Sequence, residues 1–212
     1  MSKLWTDFYD LVVPDLPGCP FAMIDIALRQ SAIAFCEQSL AWTYQHPDVA
    51  VVAATAVYPF VPPAGAVVHA ITYAEFAGTA IEYNVGESGI MIYDWRNQTG
   101  TPTYVLGGAT ELTLVPTPDA AGTLTLTVAL KPTPDATGID DSMFNEYREG
   151  IISGALARLM LSPKKPYSNP AMATYHQQQF TIKAGQAGMR QARNYTRAPL
   201  QTAILSRGRT WG

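Results

Sequence analysis

Histidines and paired carboxylates are the groups from which a protein most readily builds acid–base or metal chemistry, and this chain has few of either in useful positions. Its three histidines are His46, just before a proline, His69, in a β-branched run, and His176, in a helical pattern. None has a second histidine or a carboxylate four residues on, so the spacing that puts two ligands on one helix face is missing. Asp140 and Asp141 are adjacent, but they stand where a helical pattern begins, and capping accounts for them better than proton transfer. Glu82, Glu87 and Asp94 surround a turn among short strands, where they could line a sugar or metal site or simply charge a solvated sheet edge. No G-x-S-x-G elbow, phosphate-binding glycine loop or G-x-G-x-x-G fingerprint occurs. With no nucleophile beside a base, the residues point to a protein without catalytic, cofactor-binding or metal-binding groups.

Binding chemistry has more material. Lys183, Arg190, Arg193, Arg197, Arg207 and Arg209, with Tyr195 and Trp211 among them, make a basic zone that could neutralise phosphates. The chain as a whole is acidic, with a sequence pI near 5.5, and has no nucleic-acid recognition motif, so sequence-specific binding is not expected. Tyr83, Tyr93, Trp95 and Tyr104 could supply stacking faces to a glycan, although a role as core aromatics accounts for them more simply. Cys19 and Cys36 lack metal-ligand spacing. They are expected as reduced thiols, because MSKLWTDFYD lacks the basic and apolar blocks of an export signal and the chain is expected to be made in a cytoplasm.

These residues must be held by elements that the periodicity predicts. Trp5, Phe8 and Val12 fall at helical spacing in residues 4–13, and the prolines of PDLPGCP end that run. A longer helix is predicted from Phe21 to about His46, with Ile24, Leu28, Ser31, Phe35 and Trp42 on one stripe and Ala27, Ala34 and Ala41 in a row beside it. Residues 49–131 break into short β-branched or aromatic runs separated by turn-forming clusters, which predicts six or seven antiparallel strands, GIMIYDW among them. PTPDAAG (116–122) and PTPDATG (132–138) read as two equivalent corners. From Ile139 a helix repeats Phe144, Tyr147, Ile151 and Ala155, with Gly150, Gly154 and Ala157 forming a groove for the alanine row. A third helix starts with Asn169 as cap and Pro170 at its first position, and carries a weak stripe of Ala173, His176, Phe180, Ala184 and Ala187.

The fold class is therefore α+β. A helical bundle is drawn from both chain ends (residues 1–48 and 133–194), with an inserted antiparallel β domain (49–132) and an extended basic tail (195–212). Charge divides along the same line. Residues 1–149 hold all 17 acids and five Lys/Arg, a net −12, whereas Gly150 to Gly212 hold nine Lys/Arg and no acid, a net +9. Such polarity suits head-to-tail association or an acidic partner, and no run approaches the roughly 18 apolar residues of a membrane span.

The succession PDLPGCP, ALRQSAIAFCEQSLAW, YPFVPPAG, LTLTVALKPT, IDDSMFNEYREGIISGALARLM and KKPYSNP resembles the head-to-tail adaptor (connector) proteins of short-tailed bacteriophages and their relatives. The likeness covers most of residues 10–185 and is carried by structural rather than catalytic residues. It implies a virion protein repeated as a ring of about twelve copies under the portal, extending the DNA channel without reading its sequence and docking the tail nozzle and fibres. In that setting Ala27, Ala34, Gly150 and Gly154 are expected at helix-packing or ring contacts, with the basic helix of one copy against the acidic body of the next. Arg197, Arg207, Arg209 and Trp211 are expected in a strap that meets portal carboxylates. The divergent tail RAPLQTAILSRGRTWG matches no pattern of that family. A soluble glycan-binding or other tail-associated module is the alternative from a different class.

Overall fold

The start of the chain alternates between strand and tight helix instead of forming one helix over residues 4–13. In a computed structural model, which describes residues 2–193, β1 (Ser2–Leu4) is followed by a 3-10 turn (Trp5–Phe8), α1 (Tyr9–Val12) and a second 3-10 turn (Val13–Asp15). Trp5, Phe8 and Val12 are buried as their spacing predicts, and the Trp5 indole donates to Ala136 O at 2.7 Å. α2 (Phe21–Ser39) buries Ile24, Leu28, Ser31 and Phe35. It stops seven residues short of His46, because Leu40 turns left-handed (φ 52°) with its N–H on Cys36 O, and Ser39 Oγ donates to Phe35 O while accepting from Ala41 N. Trp42 is buried just beyond that stop.

The sheet region begins with β2 (Thr43–Gln45) and continues through β3 (Val49–Val51), β4 (Val57–Pro59), β5 (Ala66–Phe76), β6 (Thr79–Ala80), β7 (Thr99–Gly100), β8 (Tyr104–Gly107), β9 (Glu111–Val115), β10 (Thr117–Pro118), β11 (Gly122–Pro132) and β12 (Gly138–Asp140). β11 is the spine. It pairs antiparallel with β5 along one edge and with β2 and β3 in succession along the other. A second sheet has the order β4-β9-β8, and β1 closes on β12. β7 and β10 form a short parallel ladder that the alternation pattern did not announce.

Two expectations fail here. GIMIYDW is not a strand: it follows a 3-10 turn (Glu87–Gly89) as irregular chain, with Met91 and Tyr93 almost fully exposed. The two proline-rich repeats bracket β11 but are not equivalent, since Thr117–Pro118 is extended in β10 whereas Thr133 O accepts from Ala136 N in a turn.

The chain closes with α3 (Asp141–Met160) and α4 (Pro170–Ala192). α2 lies on β11 as well as on α3, and one continuous buried cluster runs from Trp5 through Leu124, Leu126 and Leu130 to Ala187. Helices and sheet therefore share a core, and the sheet takes in residues of the predicted N-terminal helical segment.

Candidate assembly interface

Caps set the starts of the last two helices. Asp140 accepts from Ser142 N at 2.9 Å, and Asn169 accepts from Met172 N at 3.2 Å with Pro170 at the first helical position. α3 and α4 form an antiparallel hairpin, tied by Glu146–Arg190 at 2.9 Å and by a short Glu149–Lys183 pair. The Lys183 ammonium holds the Glu149 carboxyl below the usual carboxylate range.

The predicted glycine groove is filled from within the chain. A Cβ on Gly150 would lie 2.6 Å from the Phe35 ring and 3.2 Å from Lys183 Cβ, and one on Gly154 would lie 2.6 Å from Phe180 and closer still to Ser31 Oγ. Ser31 Oγ itself donates to Ile151 O at 2.6 Å across the α2–α3 contact. The partners of the two glycines are thus Ser31 and Phe35 of α2 together with α4, not the alanine row. Ala27 is buried and Ala34 is half-buried.

α4 has two apolar faces. The inner one, Ala173, Phe180, Ala184 and Ala187, is buried, with His176 half-buried at its margin. Burial pushes the His176 imidazole below its ordinary range, against the opposing pull of Asp15, and its Nδ1 has no hydrogen-bond partner among the described residues. The outer face carries Met172, Tyr175, Ile182 and Met189, all 40–51% exposed. Their spacing of three, seven and seven residues keeps them on one side of the helix, a pattern already present in the sequence beside the inner row. Of the basic zone, Lys183 and Arg190 are engaged by α3 acids, and Arg193 is the last described member. Arg197, Arg207, Arg209 and Trp211 lie outside the described residues.

The remaining candidates stay apart. His46 is buried, with Nδ1 donating to Pro47 O at 2.7 Å and Nε2 accepting from Val61 N at 2.8 Å, a structural role. Glu87 pairs with Arg96 at 2.5 Å, Asp94 accepts from Asn97, and the Arg96 guanidinium lies 4.2 Å from the Trp95 ring centroid. None of Tyr83, Tyr93, Trp95 and Tyr104 is a buried core residue, contrary to expectation: Tyr93 is 94% exposed, Tyr83 is exposed, and the other two are half-buried. Among the described residues no three His, Cys, Asp or Glu gather to hold a metal, and no helix is long and apolar enough to cross a membrane. The arrangement is one of surfaces.

A family model described as SU10 adaptor protein matches residues 6–203. No curated protein matches the chain.

Proposed function

The chain belongs to the SU10 adaptor protein family and so to the head-to-tail adaptors of bacteriophages, and on that premise we propose that its copies form a ring of about twelve under the portal, extend the DNA channel and dock the tail nozzle and fibres. The family match across residues 6–203 carries this reading, because among the described residues it takes in all four α-helices and every strand but the first. The charge division supports it: a net −12 over residues 1–149 and +9 over 150–212 suits head-to-tail contact between copies, beside the Lys183–Glu149 and Arg190–Glu146 pairs made within each copy. A net charge of −3 and the lack of a recognition motif suit a lumen that DNA crosses without being read. The exposed Met91 and Tyr93 offer apolar groups to a tail protein. Arg197, Arg207, Arg209 and Trp211 are assigned to a strap meeting portal carboxylates.

Native mass spectrometry of the full chain mixed with the portal ring of the same phage tests both parts. About one copy per portal subunit is expected, with loss of binding in a chain ending at Tyr195. Binding that survives truncation discards the strap, and absence of binding by either form overturns the adaptor reading. The exposure of Tyr93 favours one second reading, a glycan-binding tail module, which saturable glycan binding by the isolated chain would support.

A further inference from the structure

α4 presents an outer apolar stripe that its own chain leaves uncovered: Met172, Tyr175, Ile182 and Met189 face away from the buried Ala173, Phe180 and Ala184. A row of four large apolar side chains on one helix face is unusual for a surface that stays in water. The stripe belongs to the α3–α4 hairpin, whose residues 141–192 hold six Lys/Arg and three acids (Asp141, Glu146 and Glu149), a net +3, with Glu149 and Glu146 paired to Lys183 and Arg190 of the same copy. A second copy of the same hairpin is a poor partner, since it brings the same net positive charge.

Another surface of the same molecule has the complementary character. Residues 1–30 hold Asp7, Asp10, Asp15 and Asp25 against Lys3 and Arg29, a net −2, and Arg29 is turned onto Pro134 O at 2.8 Å. Around those acids Leu11, Phe21, Met23 and Ile26 are 42–58% exposed. α1 and the start of α2 adjoin there, because the Tyr9 ring stacks on Phe21 at 4.9 Å and its hydroxyl donates to Asp25 at 2.8 Å. On α2 the exposed Met23 and Ile26 are three residues apart, with the half-buried Ile33 seven further on, the same spacing that α4 uses.

We propose that the outer stripe of α4 in one copy packs against the acidic, apolar face made by α1 and the first half of α2 in the next copy. The inference rests on the adaptor reading and names the surfaces by which its ring is built. Because the two faces are different, each copy keeps one of each free, and the contact repeats in one direction until the ring closes. The apolar residues supply the buried area and the opposed charges fix which face meets which.

The test uses full-length chain assembled on the portal ring of the same phage, with p-benzoylphenylalanine in place of Ile182 and a mixture of isotopically light and heavy copies. Illumination is expected to give light-to-heavy cross-links from position 182 into residues 7–26. A second variant, Ile182→Glu with Met189→Glu, is expected to keep the circular dichroism and melting temperature of the parent, because both positions are exposed, and to lose at least about tenfold in copies bound per portal. Cross-links from position 182 to portal, to another α4 or within its own copy, or a Glu variant that fills the ring normally, overturn the pairing while portal binding leaves the adaptor reading in place. Failure of the unmodified chain to bind portal overturns that reading, and the pairing with it.

Discussion

Gly154 is fixed by what surrounds it: Ser31 Oγ and the Phe180 ring occupy the space a side chain would take. Gly154→Ala is expected to destabilise the chain by about 1–3 kcal/mol through overpacking. Gly185, on the same hairpin, has open space where its Cβ would go, so Gly185→Ala is expected to stabilise by about 0.5–1 kcal/mol through backbone entropy. Urea unfolding of both variants checks the pair, and equal signs would contradict the packing described. His176 gives a pH signature. Its folded pKa lies below the ordinary value, so as pH falls through about 6.5 the unfolded chain takes the proton first and stability declines. Melting temperatures between pH 7.5 and 5.5 are expected to fall more in the parent than in His176→Gln; parallel curves would show that the imidazole is not the source.

At the scale of elements, capping shows what a local pattern can reveal. Asn169→Ala is expected to cost about 1 kcal/mol, measurable by thermal or urea unfolding, since it removes the acceptor for Met172 N. Both caps and most of the buried rows of α2, α3 and α4 were legible because they depend on spacing within one helix, although Phe144, Tyr147 and His176 are only half-buried and Met143 is buried instead. The end of α2 was less so: TYQ reads as more helix until β11 pairs with it, and tertiary pairing outweighs propensity there. GIMIYDW shows the reverse case, β-rich in type but without a ladder partner. β1 was illegible because three residues carry no period and acquire meaning only beside Gly138–Asp140. Of the candidate interface, the glycine positions were visible in sequence. That Ser31, Phe35 and Phe180 fill them was not, because it depends on how three helices meet.

The whole molecule is polar in charge and uniform in core. One buried cluster joins the helices to the sheet through the α2–β11 contact, so strain at the helical hairpin reaches the β region through continuous packing. Along the sequence, acids outnumber cations up to Glu149 and only cations follow it. On the proposed reading such polarity suits head-to-tail contacts that close into a ring better than a two-fold dimer. The most direct measurement is a cryo-electron microscopy map of the head–tail junction in the intact virion. The account predicts a ring of this chain immediately beneath the portal, enclosing the DNA channel. Density for the chain only at distal tail or fibre positions would contradict it.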